Sequence, residues 1–287
     1  MISTTLFSDP ACPWGYSASP AIRVLEWRYG DQLDWSLVMI GLTEQADQYV
    51  RRGYTPTRAA LGQIRFRRFG MPFAPAPKPR VSATARACRA VVAARLTEPG
   101  SEFAVYRALH FANFTDGVIL DEDESLRHAL NAAGLPGDRL ISMLDSPEVD
   151  EAYERDRAQA RTAEGTPAEL QGKAAATDGP VRYTAPSIVF ERDGRRLIAG
   201  GWQSVDAYDV LIANLDPTLN RQDPPETPEP LLARFPGGLT TQEVAALMTH
   251  GNDAVDRDGA EAALVALAGE GRARRIPLGD DALWQPA

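Results

Sequence analysis

The sequence is poor in the residues that build metal sites and disulfide frameworks. Its 287 residues include two cysteines, Cys12 and Cys88, and three histidines, His110, His128 and His250. The histidines lie far apart, with no second ligand at helical spacing. A zinc site needs about four well-placed ligands, so no metal is expected. Two distant cysteines in a chain with no secretory signature argue against a structural disulfide. No apolar run approaches the roughly 18 residues needed to span a bilayer, so no membrane partner is expected. The start, "MISTTLFSDP", lacks a basic segment followed by an apolar core. It does not read as a secretory signal, and a cytoplasmic location is expected. Positive charge is also short: the formal net charge is -9, which favours solubility and argues against a general nucleic-acid binder. There is no internal repeat.

What is present is an ordinary globular composition, 44% hydrophobic and 24% charged, in a chain long enough for two or three compact units. "STTLFS" at 3–8 reads as a strand broken by Asp9-Pro10. A helix is expected from Ser17, with Ala21, Ile22, Leu25 and Trp27 on its apolar side, ending near Tyr29-Gly30-Asp31. Leu33 to Leu42 forms a second strand, and the strand-helix-strand order predicts a parallel pair.

From Thr43 to Gly165 the pattern is helical. It is interrupted by an extended loop carrying Pro72, Pro75, Pro77 and Pro79. Within it, Asp121-x-x-Glu124 resembles a capping box, and Ser146-Pro147 a helix start. Strand character returns around 185–200 as two apolar runs flanking Asp193-Gly194, a hairpin signal, and Ser204 caps a closing helix. A proline-rich linker follows. Beyond it, Thr240-x-x-Glu243 opens a helix, and a turn at Gly279-Asp280 predicts a small hairpin.

The expected architecture is therefore α/β, a thioredoxin-like fold with a large helical insertion and a small C-terminal winged-helix-like α+β module. The divisions are 1–43 with 180–218 for the thioredoxin-like domain and 44–179 for the insertion, then 219–230 for the linker and 231–287 for the module.

Chemistry concentrates at Cys12-Pro13-Trp14-Gly15. Cys12 follows a strand and precedes a helix, and Pro13 is preset for the first turn. Unpaired N–H groups at a helix start stabilise a thiolate, so a pKa below about 8.5 is expected. Trp14 is assigned to the wall of a substrate groove.

"SDPACPWGY" resembles the DsbA-type thioredoxin-fold family, and in particular its FrnE-like branch, through Asp9, Pro10, Cys12, Pro13, Trp14 and Tyr16. The resemblance spans about 3–216. It extends to the related 2-hydroxychromene-2-carboxylate isomerases and kappa-class glutathione transferases. It implies a cis-proline at Ala185-Pro186, facing Cys12 and exposing backbone for an extended ligand. Pro13, Trp14, Ala185 and Pro186 are the substrate-contact residues it implies, and Cys12 the catalytic one.

Gly15 departs from the family pattern: this is a CPWG variant of the CxxC motif. A dithiol releases its mixed disulfide by internal attack. Here release requires an external small thiol or Cys88. Cys88 sits among alanines and also reads as a small buried residue.

The leading expectation is a monothiol oxidoreductase acting through Cys12. It would bind no cofactor tightly, and its reactants would be a glutathione- or mycothiol-type thiol and a thiol-modified protein. The alternatives are a kappa-type isomerase or transferase and a non-catalytic peptide-binding scaffold. Arginines 51, 52, 58, 65, 67 and 68 read as a solvated face, with carboxylate binding as the other option. The region 231–287 carries five arginines against eight carboxylates, a net -3, which argues against DNA binding. The oligomeric state is left open.

Overall fold

The structure, a computed structural model, describes residues 1–287. Strand β1 (Ile2–Ser8) lies at the heart of a four-stranded sheet. It pairs in parallel with β2 (Leu33–Met39), so that Phe7 faces Val38 across the ladder. Helices cover both faces of this sheet, which is why β1 reads as a nearly continuous buried run.

The connection between β1 and β2 carries two helices, α1 (Pro13–Ser17) and α2 (Ser19–Tyr29). Pro20 separates them, because it lacks the N–H that would have bonded the carbonyl of Tyr16. The helical region starts at Pro13, earlier than the expected Ser17, and β2 stops at Met39 rather than Leu42.

The insertion holds α3 (Ala46–Arg51), α4 (Pro56–Phe66), α5 (Ala85–Thr97), α6 (Glu102–Thr115), α7 (Asp123–Ala132), α8 (Gly137–Ser142), α9 (Pro147–Ala160) and α10 (Pro167–Leu170). Ala87, Cys88 and Ala90 are fully enclosed. Their small side chains let α5 pack closely against α6, α9 and β2. Ser146 caps α9 by accepting the Val149 N–H, with Pro147 at the first position. The expected cap at Asp121 is a correction. Helix α7 starts after Glu122 with no side-chain cap. The Asp121 carboxylate instead accepts the Ala83 N–H at 2.7 Å and pairs with Arg80.

A short antiparallel pair, β3 (Ala174–Ala175) and β4 (Arg182–Tyr183), precedes β5 (Ser187–Arg192) and β6 (Arg195–Ala199). The sheet order is β2-β1-β5-β6, with β5 antiparallel to β1 and β6 to β5. Asp193 and Gly194 both take positive φ, 50° and 75°, as the tight turn between right-twisted strands requires. Helix α11 (Val205–Leu215), capped by Ser204, closes this part of the chain.

The chain then runs back along α2. The Gln222 N–H donates to the Arg28 carbonyl at 2.8 Å, and the Trp27 indole N–H to that of Asp223 at 2.9 Å. The C-terminal module follows as α12 (Glu229–Arg234), β7 (Leu239–Thr240), α13 (Thr241–Leu247), α14 (Arg257–Gly269), β8 (Ala273–Leu278) and β9 (Asp281–Pro286). Its strand order, β7-β9-β8, is compatible with the winged-helix-like form. Its apolar core is continuous with Val24 and Trp27 of α2, so it is packed on the sheet domain. No helix is long and apolar enough to cross a membrane.

Glu243 does double duty at this junction. It completes the capping box of α13 with Thr240, and both its oxygens accept from Arg107 of α6 at 2.6 Å. Burial pushes its carboxyl up, but the Arg107 charge and hydrogen bonds prevail and hold it at about 2.

Candidate functional site

The site grows from the end of β1. Asp9 is fully buried. One of its carboxylate oxygens accepts the Ala11 N–H at 2.9 Å, and the other accepts the Leu42 N–H at 2.8 Å and the Thr84 hydroxyl at 2.9 Å. These bonds staple the loop before α1 to the segment after β2 and to the start of α5. The Asp9 carbonyl accepts the Cys12 N–H at 3.0 Å.

Cys12 occupies the N-cap position of α1, with Pro13 next. It is 7% exposed, and its thiol donates to the Ala185 carbonyl at 3.2 Å. The structure thus brings Cys12 to the Ala185–Pro186 peptide, which is cis.

The ionisation expected from the motif is corrected by this packing. Burial raises the thiol to about 11, and Asp9 adds to the rise. The N–H groups of Gly15 and Trp14 and the charge of Arg182 oppose it without prevailing. A helix of five residues offers few N–H groups against the loss of water around a thiolate.

The position of the missing second thiol is closed. A β-carbon built on Gly15 would stand 2.6 Å from Ser8 Oγ and 3.2 Å from the Tyr106 hydroxyl. Those two hydroxyls are hydrogen-bonded to each other at 2.5 Å. His110 lies beside them. Burial lowers its pKa to about 3, so its ring is neutral and its Nε2–H donates to the Asp9 carbonyl at 3.1 Å. Cys88 is fully buried and donates to the Asp9 carboxylate at 3.4 Å. Both thiols are free, and the surroundings of Cys88 match the small buried reading.

Cys12, Pro13 and Trp14 line a cavity of about 720 Å³ beneath α4. Trp14 is 39% exposed, with Phe66 at 4.9 Å and Phe69 at 5.4 Å between ring centroids. Ala185 and Pro186 do not line the cavity. Both are buried, and the Ala185 carbonyl is taken by the Cys12 thiol. The structure thus places Ala185 and Pro186 behind Cys12 and not on the cavity wall.

Residues outside the Cys12 motif complete the cavity, among them Arg58 and Arg65 of the arginine run. Tyr49, Tyr54 and Phe114 add aromatic surface, and every charged side chain on the lining is a cation: Arg58, Arg65, Lys78 and Arg80. Arg80 is neutralised by Asp121 and Glu122. Lys78 donates to Asn113 Oδ1 and the Val118 carbonyl, and burial lowers its pKa to about 8. Arg58 bonds only a carbonyl, that of Gly53, and lies over the Tyr54 ring. The other arginines of the run do not line the cavity: Arg51 pairs with Asp47, Arg52 bonds the Thr177 carbonyl, Arg67 pairs with Asp280, and Arg68 stacks on Phe69. The signal for the first two was their seven-residue spacing, which puts Arg58 and Arg65 on one side of a helix.

Comparison with known proteins agrees with this geometry. A family model described as the DSBA-like thioredoxin domain matches residues 4–182. Curated protein sequences yield no match. Among solved structures, a candidate protein disulfide isomerase of Nitrosomonas europaea is similar at TM-score 0.55 and 19% identity, over 74% of this chain and 96% of its own. The cytosolic disulfide reductase DsbM of Pseudomonas aeruginosa aligns at 0.51 and 20%, over 74% and 98%. Its structure with GSH aligns at 0.50 and 19%, with the same coverage. A candidate DsbA oxidoreductase of Streptomyces coelicolor aligns at 0.56 and 16%, over 78% and 93%. At such identities these likenesses show the fold.

Proposed function

The chain belongs to the DsbA-like thioredoxin-domain family, and from that premise we propose that it is a thiol–disulfide oxidoreductase working through Cys12 alone. Its second reactant is a low-molecular-weight thiol of the glutathione or mycothiol type, used as a co-substrate and not held as a resident group. The observation that carries this reading is a single thiol at the edge of a cavity of about 720 Å³, beside a Gly15 position with no room for a partner thiol.

The Cys12 thiolate attacks one sulfur of a substrate disulfide R–S–S–R′, forming Cys12–S–S–R and releasing R′S⁻. The small thiol, as R″S⁻, then attacks the R sulfur. It leaves as R–S–S–R″ and restores the Cys12 thiolate. No second cysteine of the chain takes part. The cationic, aromatic lining suits a small anionic thiol or its disulfide. The neighbouring DsbM structure with GSH supports that choice. Because that reductase is described as cytosolic, the same compartment is proposed for this chain.

The first test is exposure to glutathione disulfide, followed by peptide mass. One adduct on Cys12, released by added glutathione and absent from Cys12→Ser, is expected. A folded protein that acquires no Cys12 adduct at any pH up to the thiol's ionisation overturns the reading.

One observation favours a second role. The Cys12 thiol is protonated at rest and acts as a hydrogen-bond donor. In a kappa-type transferase or isomerase, such a donor would hold the sulfur of a bound small thiol, which would itself be the nucleophile. Turnover without net redox change, surviving in Cys12→Ser, would identify that role. The buried Ala185–Pro186 edge weighs against the peptide-binding scaffold. The pairing of Arg272 with Glu229 and Glu270 weighs against a nucleic-acid role for the C-terminal module.

A further inference from the structure

The C-terminal module contributes no side chain to the cavity around Cys12, yet its hairpin turn reaches the segment that directly follows the α4 wall of the site. Gly279 and Asp280 lie against residues 67–73, the stretch that follows α4. The Asp280 N–H donates to the Phe73 carbonyl at 3.0 Å, and one Asp280 carboxylate oxygen accepts the Phe73 N–H at 2.7 Å. The other oxygen accepts from Arg67 Nε at 2.8 Å.

The approach is close enough to require glycine. Gly279 has φ of 56°, and a β-carbon there would stand 3.0 Å from the Phe73 backbone. At the middle of the strap, Gly70 has φ of 81°, and a β-carbon there would run into the side chain of Gln242 on α13. The Thr240 hydroxyl meets Met71 Sδ at 3.5 Å.

The opposite side of this strap is tied to the helix that carries Cys12. The Tyr16 hydroxyl donates to the Pro72 carbonyl at 2.8 Å, and the Tyr16 N–H donates to the Cys12 carbonyl at 3.0 Å. The strap also carries Phe69, which meets Trp14, and it anchors the C-terminal end of α4. Helix α4 itself buries only Ala60. Its own packing holds it weakly, so its position depends on how its ends are fastened.

The geometry points to Asp280 as a positioning residue of the Cys12 site: the β8–β9 turn fixes the strap 67–73, and through it the wall of the cavity beside Trp14. The Arg67 pair is half exposed and contributes little alone. The paired bonds to Phe73 matter more, because Phe73 is fully buried and its N–H bonds the Asp280 carboxylate. Loss of the carboxylate loosens the strap, lets α4 and Phe69 move away from Trp14, and widens the approach to Cys12. This concerns the shape of the site and holds whichever reaction Cys12 performs.

The test compares alkylation of Cys12 by a bulky maleimide and by iodoacetamide in the full chain, read by peptide mass. The ratio of the two rates cancels changes in thiol ionisation and reports the entrance alone. In Asp280→Ala the ratio is expected to rise roughly tenfold, the scale on which losing hydrogen bonds to a charged group shifts a local opening equilibrium. Asp280→Asn, which keeps an acceptor for the Phe73 N–H, is expected to fall between. Cys88, fully buried, is the internal control for global unfolding. An unchanged ratio in a folded Asp280→Ala overturns the proposal. Should Asp280→Ala expose Cys88, the milder Asp280→Asn decides by the same ratio: a rise supports the proposal and no change overturns it.

Discussion

Cys12 stands at the start of α1, and its thiol lies against the Ala185 carbonyl at 3.2 Å. The helix start and Pro13 are local features, and they are where the sequence places them. The ionisation of the thiol depends on what covers it. Burial, which strips water from the thiolate, raises it to about 11, and the buried Asp9 carboxylate adds to the rise. The folded pKa therefore lies above the usual 9. The protonated thiol prevails through neutral pH, and its reactivity grows only as pH climbs toward about 11. The rate of Cys12 alkylation, followed against pH with Cys88 as the control, is expected to keep rising through pH 9. A plateau near neutrality would show an activated thiolate instead.

At the scale of elements, helix caps divide into those that read locally and those that do not. Ser146, Ser204 and Thr240 each bond an N–H of their own first turn, as the sequence pattern suggests. Asp121 has the same pattern but is drawn away by Arg80 and the Ala83 N–H, partners some 40 residues distant. Helix α1 adds a tertiary constraint of its own, because it rests at Gly15 on the end of β1. Restoring the family pattern with Gly15→Cys would press a side chain onto the bonded Ser8 and Tyr106 hydroxyls. We expect a loss of stability of about 1–3 kcal/mol, as overpacking of a close-fitted site produces. Urea titration would measure it, and an unchanged midpoint would show that the site yields freely.

For the whole molecule, the decisive contact is the one between the C-terminal module and the sheet domain. Val24 and Trp27 of α2 belong to the module's core, and Arg107 reaches across to the fully buried Glu243. Because the folded pKa of Glu243 is about 2 against an ordinary 4.5, its contribution is complete above about 4.5 and is lost as pH falls toward 2. Tryptophan fluorescence should report the junction loosening in that window, through Trp27. Glu243→Gln removes one member of a buried pair. It should lower stability at neutral pH by about 3 kcal/mol and flatten the dependence on pH below 4.5. An acid transition equal in both proteins would place the titrating group elsewhere.

The sequence by itself determined the order of strands and helices, the hairpin at Asp193-Gly194, most of the caps and the position of Cys12 at a helix start. Each follows from side-chain periodicity or from bonds spanning a few residues. Only the tertiary structure decided which surfaces are closed. It buried the Ala185–Pro186 edge, filled the place of the missing thiol with Ser8 and Tyr106, turned Arg58 and Arg65 toward a cavity, and fastened the C-terminal module to α2 and α6. Apart from the placing of the two arginines, these outcomes depend on contacts between residues about 100 or more apart in the chain. Burial, and with it the ionisation of Cys12, is set by such contacts, and no short stretch of sequence contains them.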